Sequence, residues 1–225
     1  MSRDSDDKEI LKELRALTKN KENWKENIDD IAVKLNENHS ITVKAKALWI
    51  LGEMGLKYPA KIEGHVPDIA DYLEADNPKL RERSANAMGR IGRANKDLII
   101  PYIDKLMKLK DDESYNVRHA FIWACENIAM NAPELFCEKL EIFYQMIFDS
   151  AEKVRMEAPE MFRVIGKRNP DCVKPYLDKL EWIAENDEHP VVRIHTASAV
   201  RITKKQCPPH SKKNINFLMN IEIIY

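Results

Sequence analysis

Residues 76–92, DNPKLRERSANAMGRIG, carry the pattern that decides the fold. An Asp76-Asn77-Pro78 turn leads into Leu80-Arg81, and from Leu80 apolar or small residues recur at offsets 0, 4, 7, 8 and 11: Leu80, Ser84, Ala87, Met88 and Ile91. These offsets trace one stripe of a 3.6-residue helix. The opening pair is one of five, with Val43-Lys44, Val117-Arg118, Val154-Arg155 and Val192-Arg193, at spacings of 37, 37, 37 and 38 residues. A period of this size marks a stacked helical array. Each unit of such an array packs on its neighbours, so no single central core is needed.

The other copies keep the stripe. They read Val43, Ala47, Ile50, Leu51, Met54, then Val117, Phe121, Ala124, Cys125, Ile128, then Val154, Ala158, Met161, Phe162, Ile165. Small residues at offsets 4 and 7 predict close approach between neighbouring helices. We term this segment helix B. A second amphipathic segment, helix A, precedes it in each unit, framed by Ile28/Ile31, Val66/Ile69, Ile103/Leu106, Leu140/Phe143 and Leu177/Leu180. Asn77-Pro78, Asp111-Asp112 with Ser114, Asp149-Ser150 and Asn186-Asp187 suit the A-to-B turns. Pro59, Pro133 and Pro170 punctuate the opposite turns.

The predicted fold is all-α, a right-handed α-α superhelix in one domain over 1–225. Its repeats are 24–56, 61–93, 98–130, 134–167 and 171–205. Half-repeats at 6–18 and 211–224 close the ends, which makes twelve helices.

Composition bounds the partners. The 36 basic and 37 acidic residues give a formal net charge of −1, so no global field attracts nucleic acid or anionic membrane. No apolar run reaches the roughly 18 residues of a membrane span, and the polar start Met1–Asp7 does not read as a secretory signal. A cytoplasmic protein is expected. Cys125, Cys137, Cys172 and Cys207 form no CxxC pair and read as buried free thiols, with disulfides or metal ligation as alternatives.

The acidic turn, the Val-Arg marker, the small residues at helical spacing and the closing glycine resemble the HEAT-repeat family, most closely at Asp76 to Gly92 and Asp149 to Gly166. The resemblance implies an armadillo-like α-solenoid. It also implies a structural ladder of turn aspartates and helix-B arginines: Asp76/Arg81, Asp112/Arg118, Asp149/Arg155 and Asp187/Arg193. A phosphate-binding row is the alternative role for these arginines. Asn38 and Lys44 depart from the pattern, which predicts a weaker first rung.

Helix B usually lines the inner face of such superhelices, so offsets 2, 3, 6, 9 and 10 are the candidate partner surface. Offset 6 reads Trp49, Asn86, Trp123, Glu160 and Ser198. Tryptophans there suit binding anchors, or else pack on an adjacent helix or loop. His119 and Glu126 flank Trp123, and Arg83, Arg90 and Arg163 lie along the same row. Five bases (Lys46, Arg83, Arg90, Arg163, Arg201) face five acids (Glu53, Glu82, Glu126, Glu157, Glu160), a mixed surface suited to a protein or peptide. A phosphate track would show a positive excess, which makes nucleic acid unlikely as a partner.

A non-catalytic scaffold or adaptor follows, with no cofactor and no metal expected. The alternative is a HEAT-like DNA-binding or DNA alkylation-repair glycosylase-type module using the same groove. The di-iron hydroxylases of HEAT type repeat His-Glu pairs, and this sequence contains no His-Glu dipeptide. Two irregularities remain. Pro159 lies inside the fourth helix B and either bends it or changes the superhelical curvature locally. The apolar segment Ile215, Phe217, Leu218, Ile221, Ile223, Ile224 is expected to dock on the fifth repeat, with homodimerisation through this end, or truncation, as alternatives.

Overall fold

The computed structural model describes residues 3–36 and 38–207; the expected half-repeat at 211–224, and any dimer through it, lie outside them. The described elements are α1 (Arg3–Lys19), α2 (Ile28–Asn36), α3 (Ile41–Lys57), α4 (Pro59–Ile62), α5 (Val66–Asp71), α6 (Pro78–Ala94) and α7 (Ile103–Lys108). They continue with α8 (Tyr115–Ala129), α9 (Leu140–Met146), α10 (Glu152–Arg168), α11 (Pro170–Val173), α12 (Leu177–Asn186) and α13 (Pro190–Gln206). The chain is an α-solenoid. Its B helices α1, α3, α6, α8, α10 and α13 stack in chain order, and the A segments pack beside them as a second layer.

The B stripe forms the core. Val43, Ala47, Ile50, Leu51 and Met54 are fully buried, as are Val117, Phe121, Ala124, Cys125 and Ile128. Each large side chain so buried contributes roughly 1.5–3 kcal/mol. The A layer departs from the expected continuous helices. It breaks into short α-helices and 3-10 turns, such as Glu63–His65, Ile100–Tyr102 and Lys174–Tyr176. Pro67, Pro101 and Pro175 sit within these segments, and a proline removes the backbone donor that a continuous helix needs.

Glycines let α3, α6 and α8 approach closely. A methyl group on Gly52 would lie 2.7 Å from the Ala87 Cα, and one on Gly89 would lie 2.6 Å from the Ala124 Cα. Only the missing side chain lets these backbones meet. The same position in α8 is Glu126. The α8–α10 junction is the least extensive of the successive contacts among α3, α6, α8, α10 and α13, but Arg163 at the same position of α10 does not loosen the α10–α13 contact, so the side chain there does not by itself set the spacing. Pro159 is buried, and α10 runs through it from Glu152 to Arg168.

The ladder is staggered by one repeat relative to the pairing expected from the sequence. Arg81 binds Asp112 in two places, at 2.7 and 2.9 Å, and Arg118 binds Asp149 likewise, at 2.8 Å each. Arg155 reaches Asp187 at 3.0 and 3.2 Å. Within its own repeat each arginine holds backbone carbonyls instead. Arg81 donates to Ala75 and Asp76, Arg118 to Asp112 and Glu113, and Arg193 to Asp187 and Glu188. The aspartates also shape their turns, accepting the N–H groups of Ser114, Ala151 and His189 two residues on. The stagger follows from helical geometry: an arginine on the first turn of helix B points across the stack, where the next repeat's turn lies. In the first repeat Lys44 sits 5.7 Å from the Tyr72 ring.

The cysteine expectation is corrected for one pair. Cys137 and Cys172 form a disulfide with Cα atoms 5.2 Å apart, while Cys125 and Cys207 are free. Cys137 lies four residues after Pro133 and Cys172 two after Pro170, so their separation of 35, close to the period of 37, sets them at near-equivalent places in the A segments of adjacent repeats. Among the described residues, no helix is long and apolar enough to cross a membrane.

Candidate functional site

The first turns of α3, α6, α8 and α10 fix where the B-face side chains project. Ser40 caps α3 by accepting from the Val43 N–H at 3.4 Å, and Asn77 caps α6 by accepting from Lys79 at 2.9 Å. With their stripes buried, these helices present offsets 3 and 6 side by side. Offset 3 reads Lys46, Arg83, Ala120, Glu157 and His195; offset 6 reads Trp49, Asn86, Trp123, Glu160 and Ser198. Trp49, Asn86, Trp123 and Glu160 are all half-buried.

Both tryptophans carry a cation. The Lys46 ammonium lies 4.3 Å from the Trp49 ring centroid, and the Arg90 guanidinium lies 4.5 Å from that of Trp123. Arg90 also pairs with Glu53 of the preceding repeat at 2.5 Å and donates to the Asn86 carbonyl at 3.2 Å. Glu53, Arg90 and Trp123 therefore form a chain across three repeats. Such stacking keeps an aromatic ring rigid and half-exposed, which lowers the ordering cost of binding against it.

The charges on this face are balanced in number but less evenly in place: on α3 and α6, Glu53 and Glu82 pair with Arg90 and Lys79, which leaves Lys46 and Arg83 in excess there. Lys46 and Arg83 lie toward the N-terminal end. Glu126, Glu157 and Glu160 gather on α8 and α10, with His119 at 3.7 Å from Glu157, His195 at 3.5 Å from Glu160 and Arg163 at 3.5 Å from Glu126. Arg163 also pairs with Glu160. Burial pushes the Glu126 carboxyl up to about 7, helped by the negative charges of Glu157 and Glu160. The neighbouring His119 ring holds Glu157 below the ordinary carboxylate value, against its own burial. Among the described residues, no group of three or more His, Cys, Asp or Glu side chains is arranged to hold a metal ion.

Glu126 gives a pH dependence of definite sign. Its folded pKa lies above the ordinary 4.5, so its contribution to stability is complete below that value and is lost as pH rises through about 7. Glu126→Gln is therefore expected to raise unfolding free energy at pH 8 by on the order of 2 kcal/mol and to change little at pH 4. Denaturant titrations of both proteins at the two pH values check this. An equal effect at both would show that the carboxyl is not protonated in the fold.

Of the site residues expected from sequence, Trp49 and Arg83 share one cleft, and Arg90, Asn86 and Trp123 share a second cluster. His119, Glu126, Glu160 and Arg163 form the carboxylate-rich group. Offset 9 does not belong wholly to the open face, because Gly52 and Gly89 there abut the next helix. Sequence reasoning passed over Trp182, which is 62% exposed on α12 in the A layer. Its place between Leu180 and Ile183, off the A-segment stripe, was the available signal.

A family model described as "Sister chromatid cohesion protein PDS5 protein" matches residues 9–196. Comparison with curated proteins finds no match. Among solved structures, a designed armadillo repeat protein in complex with the peptide (KR)4 is similar at TM-score 0.63 and 19% identity, covering 85% of this chain and 86% of its own. Computationally designed armadillo repeat proteins for modular peptide recognition are similar at TM-score 0.58 and 19% identity, covering 76% and 80%. An engineered protein is similar at TM-score 0.62 and 20% identity, covering 79% and 81%. At these identities the likeness shows a shared HEAT/armadillo-like fold.

Proposed function

The chain belongs to the PDS5 family, and from that premise we propose that it is a non-catalytic scaffold binding a protein or peptide along the B-helix face of repeats one to four. The observation that carries the reading is the pair of cation-stacked, half-buried tryptophans, Trp49 and Trp123, on one row of neighbouring B helices. Rigid aromatic side chains in partly desolvated surroundings are the usual energetic centres of protein interfaces. The mixed charges around them would set register and exclude wrong partners. The armadillo relatives that carry or are designed for peptides share the architecture, which supports a peptide-sized partner. The cytoplasm remains our expected compartment from the sequence, and a Cys137–Cys172 bond there would have to withstand a reducing environment.

The nucleic-acid alternative loses ground from the segregation of charge. A phosphate backbone following this face past repeat two would meet Glu126, Glu157 and Glu160. Affinity capture from the native lysate, with wild type beside a Trp49→Ala/Trp123→Ala variant of unchanged helicity, tests the reading. We expect a protein retained by the wild type and lost by the variant, since paired hot-spot truncations remove roughly 4 kcal/mol. Co-purification of nucleic acid alone would overturn it.

A further inference from the structure

We propose that the cleft between α3 and α6, at the N-terminal end of the B face, receives an acidic segment of a partner protein and seats one of its apolar side chains beside Trp49. The proposal rests on the scaffold reading and names the chemistry of the partner. The cleft holds about 390 Å³, and its lining includes Ile41, Ala45, Lys46, Trp49, Lys79 and Arg83, with no carboxylate among the lining residues. Ile41 is 46% exposed at its rim, and Trp49 gives it an aromatic wall. Apolar and aromatic side chains interleaved with three cations are the complement of an apolar residue flanked by Asp or Glu.

The cations here are unequally satisfied. Lys79 is held by Glu82 at 2.9 Å, and Arg83 has the same carboxylate at 3.9 Å. Among the described residues no carboxylate pairs with Lys46, whose ammonium lies over its own Trp49. Burial lowers the Lys46 pKa, and the like charges of Arg15 and Arg83 add to that effect. An incoming carboxylate would offset both costs at once. A long polyanion fits poorly, because the positive end stops at α6 and carboxylates follow on α8 and α10. A short acidic segment ends where the charge changes sign.

The test pans a random peptide display library against the full chain, at low and at physiological salt. We expect enriched peptides to place Asp or Glu beside a large apolar residue. Their binding should weaken by about tenfold in Lys46→Glu/Arg83→Glu and also in Lys46→Met/Arg83→Met, which keeps the stems and removes only the charge. Matching thermal midpoints for the variants and the wild type make the loss specific. Enrichment of basic or neutral peptides, or acidic peptides that bind the charge-removed variants equally, would overturn the proposal and leave the scaffold reading standing. No enrichment of any peptide would remove both.

Discussion

Arg118→Ala is expected to be among the most destabilising single substitutions in the chain, lowering unfolding free energy by about 3 kcal/mol. Arg118 joins α8 to the turn before α10 through two hydrogen bonds to Asp149, and its guanidinium also holds the Asp112 and Glu113 carbonyls. The pair is only 14% and 12% exposed, so removing the cation strands a nearly buried carboxylate. Asp149 would keep the Ala151 N–H, which limits the loss. Arg118→Lys should fall between, since an ammonium cannot reproduce the two-pronged contact.

The same rung carries a pH signature. Burial raises the Asp149 pKa, but the hydrogen bonds and charge of Arg118, with the Ala151 N–H, outweigh it and hold the carboxyl below its ordinary 3.8. A depressed folded pKa gives stability that is present above the ordinary value and lost as pH falls through the folded one. The deficit of Arg118→Ala should thus shrink below about pH 4. Urea midpoints at pH 7 and pH 3 provide the check. A deficit that stays the same at both would place the arginine's role in its backbone contacts alone.

Opening the Cys137–Cys172 bond is the second large effect. The bond closes a chain separation of 35 residues, which in the chain-entropy account stabilises the fold by roughly 4 kcal/mol. The stacked repeats already hold these segments close, yet that contact vanishes in the unfolded chain, where the cross-link acts. Cys172→Ser, or reduction of the wild type, should therefore lower the unfolding midpoint, and reductant should leave the variant unchanged. Thiol titration in denaturant should find two reactive cysteines, Cys125 and Cys207, before reduction and four after it. Four thiols in the oxidised protein would sink the assignment.

The B helices were legible in the sequence because their pattern is local. Val117, Phe121, Ala124, Cys125 and Ile128 fall on one stripe whatever the rest of the chain does, and all are buried. The ladder was legible in its members but not in its pairing. Asp112 lies six residues before Arg118 and thirty-one after Arg81, and only the stack shows which arginine its carboxylate meets. The disulfide was hidden for a related reason, since nothing local separates Cys137 and Cys172 from the buried thiol Cys125. On the candidate binding face, Trp49 and Trp123 stood out by position. The segregation of Lys46 and Arg83 from Glu126, Glu157 and Glu160 was written in the sequence too, but a summed charge conceals it. The broken A segments follow from prolines whose effect is local and readable, at Pro67, Pro101 and Pro175.

The central claim is that a protein partner lies against the B-helix row, and photo-crosslinking tests it most directly. A photoreactive residue would replace Asn86, which stands between Trp49 and Trp123 on that row, and in a second protein the exposed Asp104 of α7 in the A layer. In native cells, the Asn86 position should yield a discrete protein adduct that the Asp104 position does not. Adducts at Asp104 alone, equal adducts at both, or adducts only with nucleic acid would contradict the account.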